Sequence, residues 1–200
     1  MKKIAVLAAG AAALVAAGAL AQSGGASFQN PCHAAPATDF DFWLGDWVVF
    51  DWDTGVLQGV DRVTKANNGC VLMQDWAQMT DRFRAPGADF RYAGVSMSSV
   101  LPDGRWQQVW VGNYGGTIVV TGGLDEAGRM VLESEPQTSP QGQVFYRRWH
   151  WRKFDDGTLR SWGEIRVRNA DGSWGEPTIP WNIRYVRRAD APPLIAAESR

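Results

Sequence analysis

The sequence has only two histidines and two cysteines. His33 lies in a segment rich in Ser, Gly, Ala and Pro, so His150 is the only candidate general base, and no serine sits in a G-x-S-x-G turn. Cysteine catalysis would compete with pairing of the two cysteines. Phosphate-binding loops of the Walker or Rossmann type are absent from the sequence. It therefore carries no recognisable pattern of a hydrolase or a nucleotide-binding enzyme.

An excess of positive charge is also missing. Without Lys2 and Lys3, 18 basic residues stand against 21 acidic ones, and charges of both signs are mixed along the chain. Nucleic acid is therefore not an expected partner. A metal site is not expected either, because the two cysteines have only one histidine near them, His33 in a flexible arm, and this is a poor zinc ligand set.

The one long apolar run lies at the N-terminus. Lys2 and Lys3 precede an apolar stretch from Ile4 to Gly18, and Ala19-Leu20-Ala21 fits the small-x-small cleavage pattern of a signal peptide. A membrane anchor would need about 20 strongly apolar residues, whereas this run is mostly Ala and Gly. We predict cleavage after residue 21, no membrane span in the mature chain, and a periplasmic or secreted location. Residues 22–38 are then a flexible N-terminal arm, 39–190 one β-barrel domain, and 191–200 a loose C-terminal tail.

Export would place Cys32 and Cys70 in an oxidising compartment, where paired thiols persist. The bridge would close a loop of about 38 residues, which contributes roughly 3 to 4 kcal/mol in the chain-entropy model. Two free thiols are the alternative.

Short β-rich runs fill the predicted domain, and Asp-Gly or Asn-Gly separates such runs four times, which is typical of hairpins. No window shows a helical apolar repeat. The predicted strands are Trp47–Asp53, Val56–Ala66, Cys70–Met79, Phe90–Leu101, Trp106–Val111, Thr117–Thr121, Arg129–Glu135, Val144–Phe154, Leu159–Arg168 and Ile179–Arg188. Ten antiparallel strands in one open sheet would leave long edges exposed, so we predict an all-β barrel, with a two-sheet sandwich as the alternative.

The domain opens with DFDFWLGDWVV, in which residues Asp39 to Gly45 are predicted to form one or two helical turns. Thr38 and Asp39 can cap them, and Gly45 can end them. This opening resembles a large set of exported bacterial proteins of unknown function, whose hallmark is an F-D-F-x-x-G-x-W motif. The blocks Asn68-Gly69-Cys70, WQQVWV from Trp106, and TGGL from Thr121 with GRMVL from Gly128 follow in the order expected for that family.

The resemblance implies a calycin-like barrel, similar in shape to lipocalins and to nitrobindin-type haem barrels, and it implies no activity. In such a barrel the helical turn closes one end. Phe40, Phe42, Trp43 and Trp47 would form a structural plug, while Asp41 and Asp46 would cap the turn or accept hydrogen bonds from backbone or arginine. Burying each ring is worth roughly 1.5 to 3 kcal/mol.

Eleven tryptophans are more than one core easily holds. Some are expected to line a cavity, which would suit a small apolar or amphipathic ligand. Which faces of Val144–Phe154 and Leu159–Arg168 point inward cannot be read from alternation, because both faces mix rings and charges. The candidate lining residues are Trp106, Trp110, Tyr146, Arg148, His150, Trp162, Glu164 and Arg166.

Because of these residues, the first hypothesis is that the protein is a binding module and has no catalytic residues. The alternatives are an enzyme in which His150, Glu164 and Arg166 meet in the cavity, and a structural or interaction protein of the cell envelope. No cofactor is expected. Haem held by His150 is the cofactor alternative, because Trp149, Trp151 and Tyr146 surround that histidine in sequence.

Overall fold

The structure is a computed structural model that describes residues 30–192. The predicted signal peptide, the first part of the predicted arm and residues 193–200 of the predicted tail lie outside this range. Within it, the helical structure consists of the short 3-10 turns Pro31–His33, Asp41–Trp43, Asn67–Gly69 and Asp81–Phe83. None of the helices in the described range has the length and apolar character needed to cross a bilayer.

Eleven β-strands form one antiparallel sheet within residues 30–192. They are β1 (Gly45–Asp51), β2 (Leu57–Ala66), β3 (Val71–Gln78), β4 (Ala93–Val100), β5 (Trp106–Gly112), β6 (Thr117–Leu124), β7 (Met130–Glu133), β8 (Gln137–Thr138), β9 (Val144–Lys153), β10 (Leu159–Val167) and β11 (Thr178–Arg187). Ten of them close into a barrel, because β9 pairs with both β7 and β10 and β1 pairs with both β2 and β11. The predicted all-β barrel is confirmed.

The seam of the barrel joins the first strand to the last. Val48 of β1 lies between Val60 of β2 and Val186 of β11. Beyond the end of β11, the backbone N–H of Arg188 donates to the carbonyl of Asp46 at 3.0 Å. Closure pairs both edges of the sheet, which removes the exposed edges that an open meander would present. The two-residue strand β8, which the sequence pattern did not predict, pairs with β9 alone.

The 3-10 turn Asp41–Trp43 closes one end of the barrel. Phe40, Trp43 and Trp47 are fully buried there, and Phe42 packs partly buried against the core. Phe40 stacks on Trp43 with ring centroids 4.9 Å apart, and its ring meets Trp151 of β9 edge-on at 5.0 Å. The rings thus join the turn to the far wall of the barrel.

The aspartates of the opening motif hold the turn to β2. Asp41 Oδ2 accepts a hydrogen bond from Lys65 Nζ at 2.8 Å, and Asp46 forms an exposed ion pair with Arg62 at 2.9 Å. An exposed pair of this kind contributes less than about 1 kcal/mol. Asp41 therefore ties the turn to β2 and Asp46 ties β1 to it, while the buried rings supply most of the stabilisation.

The glycine of the motif makes room for an arginine from the last strand. Gly45 has a φ of +142°, and an added Cβ would collide with the guanidinium of Arg187. That guanidinium lies 3.9 Å from the centroid of the Trp47 ring and donates to the carbonyl of Leu44. The G-x-W spacing thus allows β11 to clamp the start of β1 through a cation–π contact and a hydrogen bond.

The described part of the predicted arm is tied to the closed end. Cys32 and Cys70 form a disulfide, as predicted. Asn30 Nδ2 donates to the carbonyl of Asn68 at 2.7 Å, and Trp106 Nε1 donates to the carbonyl of Pro36 at 3.0 Å. Residues 30–38 consequently lie against the closed end of the barrel.

Candidate functional site

A cavity of about 350 Å³ lies inside the barrel. Its wall contains seven aromatic residues, with four glutamines and a serine among the rings. The lining residues are Gln58, Gln74, Trp76, Gln78, Tyr92, Gln108, Trp110, Ile118, Trp149, Trp151, Ser161, Pro180, Trp181, Ile183 and Tyr185. A second depression of about 290 Å³ adjoins it and shares Tyr92, Trp110 and Ile118.

The cavity opens at the end of the barrel opposite the plug. Gln58 at the start of β2, Ile118 at the start of β6 and Pro180 at the start of β11 belong to this rim, and Pro180 is exposed. Deeper in the cavity, Trp151 and Tyr185 are almost fully buried. A ligand would therefore enter at the rim and meet the most enclosed surroundings near the plug.

Glycines on neighbouring strands make room for three of the tryptophan rings in the wall. A Cβ atom added at Gly59, Gly94 or Gly163 would lie within 3.0 Å of the ring of Trp76, Trp110 or Trp181, respectively. Real Cβ atoms do not approach so closely. Each ring therefore lies against bare backbone, as happens where glycine in a strand admits a close approach. These three glycines keep the rings against the wall and leave the centre of the barrel open.

Replacement of Gly163 by Ala is expected to displace the Trp181 ring and to destabilise the protein by about 1 to 3 kcal/mol, because it overpacks the wall. Urea unfolding measures the loss, and the fluorescence maximum reports the new surroundings of the ring. Gly123→Ala on β6 is the matched control, since an added Cβ there meets no atom of residues 30–192 within 4 Å. Equal stability of the two variants would contradict this account of the wall.

At the rim, polar side chains bond to each other and to the backbone. Gln78 Oε1 accepts from the backbone N–H of Tyr92 at 2.8 Å, and the Tyr92 hydroxyl accepts from Trp110 Nε1 at 2.6 Å. These bonds fix the orientation of two rings at the entrance. The rim is therefore largely preorganised, as small-molecule sites usually are.

A carboxyl group is buried on the inner face of β2. Asp61 on β2 is only 2% exposed, accepts a hydrogen bond from Gln74 Nε2 at 2.8 Å, and lies beside the Tyr185 hydroxyl. Burial raises the pKa of Asp61 to about 7, although the hydrogen bonds from Gln74 and Tyr185 act against the rise. Burial and the neighbouring Asp61 also raise the pKa of Tyr185 well above its ordinary value. Asp61 therefore changes its charge near neutral pH.

The structure places two of the eight predicted lining residues in the interior. Trp110 lines the cavity, whereas Trp106 is buried in the core cluster and bonds to the arm. Trp149 and Trp151 of β9 line the cavity. Because side chains alternate along a strand, the even-numbered residues of β9 face outward. The register of β9 with β10 pairs those outward residues with one another on the outer surface. The predicted residues found there are Tyr146, Arg148, His150, Trp162, Glu164 and Arg166.

On that outer face His150 is enclosed by its neighbours. Its ring stacks on Trp162 with centroids 4.4 Å apart, and its Nε2 lies 3.2 Å from Glu164 Oε1. Burial lowers the pKa of His150, and the positive charges of Arg148 and Arg129 lower it further. The negative charge of Glu164 raises it, but the lowering effects prevail. His150 is therefore neutral at pH 7. It does not meet Glu164 inside the cavity, so the predicted interior enzyme site is not formed.

The remaining residues of the outer group pair with one another or with neighbouring side chains. Arg166 Nε lies 3.4 Å from Glu164 Oε2, Arg148 bonds to Glu133, and the Tyr146 ring meets Trp174 edge-on. The charges of Arg148, Glu164 and Arg166 are thus largely neutralised by oppositely charged neighbours on the outer surface of the sheet.

Sequence reasoning missed the polar part of the cavity wall. Four residues of β3 alternate as Leu72, Gln74, Trp76 and Gln78, and all four are buried. Asp61 holds the equivalent inward position on β2, between Gly59 and Val63. Strict alternation of glutamine with large apolar residues was the available signal. It marks a strand whose inner face meets a cavity rather than a solid core.

No group of three or more His, Cys, Asp or Glu side chains that could hold a metal ion occurs among residues 30–192. The fold and the interior define a closed antiparallel barrel with an aromatic cavity open at one end. A scan against models of protein families found no match, and a search of curated proteins found no significantly similar sequence. The function is therefore argued from the cavity itself.

Proposed function

We propose that this protein is an exported β-barrel binding module for a small apolar or amphipathic ligand. The observation that carries the proposal is the cavity of about 350 Å³ with five tryptophans in its wall. Cavities that hold small molecules typically measure about 300 to 1,000 Å³ and are lined by apolar and aromatic groups with a few polar ones. The interior matches this description in size and in composition.

The polar groups in the wall favour a ligand that is not purely hydrocarbon. Glutamines contribute amide groups at the rim and deeper in the cavity, and Ser161 contributes a hydroxyl. A polar group on the ligand would bond to some of them, while its apolar part covers the indole rings. Apolar contact would then supply most of the affinity and the amides would orient the molecule.

Export is the second part of the proposal. Residues 1–21 have the order of a signal peptide, and the disulfide between Cys32 and Cys70 is of the kind that persists in oxidising compartments. A periplasmic or secreted location suits both features. It also suits membership in the exported family with the F-D-F-x-x-G-x-W opening, which we include in the proposal.

Binding is expected to change the intrinsic fluorescence, because five tryptophans line the cavity. Titration of the mature protein with naphthalene, 2-naphthol and octanoate should give a saturable change for at least one of them. Ser161→Leu should weaken that binding about tenfold or more, since overfilling costs about 1 to 3 kcal/mol. Ser99→Leu, the same substitution on the outer side of β4, is the control and should bind like the wild type.

Native extraction followed by mass spectrometry of co-purifying small molecules is the complementary experiment. A protein that carries no small molecule, and whose fluorescence ignores all three probes, would contradict the binding function. Equal binding by the Ser161→Leu and wild-type proteins would show that the probes bind elsewhere.

A further inference from the structure

Three hydrogen bonds form a continuous chain around the inner wall, across strands β2 to β5. Gln108 Nε2 donates to Ser96 Oγ, Ser96 Oγ donates to Gln74 Oε1, and Gln74 Nε2 donates to Asp61 Oδ2, each at 2.8 Å. All four side chains are buried. Every donor in the chain points toward Asp61, so the bonds polarise one another in the same sense.

The direction of the chain fixes the last group as an acceptor. An ionised Asp61 can only accept, so Gln74 must turn its nitrogen toward it and its oxygen toward Ser96. The single hydroxyl proton of Ser96 is then used in the bond to Gln74 Oε1. The Ser96 oxygen can therefore only accept from Gln108, which must offer its nitrogen. The carbonyl oxygen of Gln108 cannot exchange places with the nitrogen without breaking the chain.

The Gln108 oxygen is left without a hydrogen bond. Gln108 is 0% exposed and lines the cavity, and its Oε1 has no partner among the described residues. A buried carbonyl without a partner is destabilising, and a suitable donor on a ligand would recover that loss. Trp106 and Trp110 flank Gln108 on the inner face of β5, so a donor that reaches it comes from among aromatic rings.

We propose that the cavity recognises a flat aromatic molecule bearing an N–H or O–H group, and that this group donates to Gln108 Oε1. The inference rests on the proposed binding function and names its ligand class. The indole N–H groups of Trp149 and Trp151, in the same wall, also have no acceptor within residues 30–192. A hydroxyl group suits this wall because it both donates and accepts.

Comparison of 2-naphthol with 2-methoxynaphthalene and naphthalene tests the inference at pH 8, where Asp61 is mostly ionised. The three probes share the ring system, and only 2-naphthol can donate. Wild-type protein should bind 2-naphthol about tenfold more tightly than either of the others, as a difference of about 1.4 kcal/mol implies. Gln108→Leu should remove this preference, so that the three probes bind the variant with similar affinities. Gln107→Leu, on the outer face of the same strand, should keep the preference.

The outcomes separate three claims: the ligand class, the role of Gln108 and the binding function. Equal binding of the three probes to the wild type overturns the inference and leaves the binding function standing. Binding of none of them also overturns the inference, and it overturns the binding function as well if octanoate does not bind and no small molecule co-purifies. A folded Gln108→Leu protein that still prefers 2-naphthol overturns the assignment to Gln108. The wild-type comparison decides the ligand class even if the variant fails to fold.

Discussion

Asp61→Asn is expected to abolish a loss of stability that the wild-type protein undergoes as the pH rises from 5 to 8. The buried carboxyl has a pKa of about 7 in the folded state against an ordinary value of 3.8. At 1.36 kcal/mol per pKa unit, ionising it in place costs on the order of 4 kcal/mol. Asparagine keeps an acceptor for Gln74 and carries no charge, so the variant should be the more stable protein at pH 8.

The sign follows from proton binding. Between pH 4 and pH 7 the folded state retains a proton on Asp61 that the unfolded chain has lost. The stability linked to this group is therefore fully present below pH 4 and is lost as the pH rises through 7. About 3 kcal/mol of the loss falls between pH 5 and pH 8. The lowered pKa of His150 acts in the opposite direction below pH 6.5, but equally in both proteins.

Urea unfolding at pH 5, 6, 7 and 8 measures the effect as a difference between wild type and variant. Asp156 and Asp171 do not interfere, since hydrogen bonds from Thr158 and Ser173 lower their pKa values and keep them ionised in this range. Asp75→Asn is the control, because Asp75 lies exposed on the outer face of β3 and its charge acts on Asp61 only through space. Parallel pH profiles for wild type and Asp61→Asn would show that Asp61 titrates normally.

Removal of the disulfide is expected to have the second large effect. The double variant Cys32→Ser/Cys70→Ser should lose about 3 to 4 kcal/mol of unfolding free energy, because the bridge spans 38 residues and restricts the unfolded chain. Residues 30–38 would then be held to the closed end by bonds such as that from Trp106 to Pro36. We expect this segment to become sensitive to proteolysis before the barrel does.

Urea unfolding of the double variant and of reduced wild-type protein measures the contribution twice. The two midpoints should agree, since both proteins lack the same crosslink. Cys32→Ser with Cys70 retained is a poor substitute, because it leaves a free thiol. An unchanged midpoint in the double variant would mean that the loop is already restricted in the unfolded state.

Much of the fold could be predicted because hairpin turns and alternation are local signals. Each of the ten predicted strands corresponds to a barrel strand, with ends that differ by a few residues. Asn68-Gly69 and Asp156-Gly157 marked two of the turns, and both glycines have positive φ. Barrel closure followed from the need to cover the edges of a long meander. Strand β8 was missed because two residues carry no periodicity.

The site could be predicted only in part, because strand β9 has two similar faces. Rings and arginines alternate on both, so the pattern alone could not choose Trp149 and Trp151 over Tyr146 and His150 as the inward residues. The register with β7 and β10 makes that choice. The chain of bonds that ends at Asp61 joins four strands, and no local pattern encodes such a contact.

The pairing of β1 with β11 has a kinetic consequence. These strands are almost the whole domain apart in sequence, and contacts of such separation form slowly because a long loop must close first. In a chain that emerges N-terminus first, β1 can pair with β2 early, but its other edge stays unpaired until the last strand is available. During that interval the edge of β1 is open to strands of other molecules. The cation–π contact between Arg187 and Trp47 can form only when β11 pairs with β1, at the final step of folding. It therefore stabilises the assembled barrel and does not help to start its assembly.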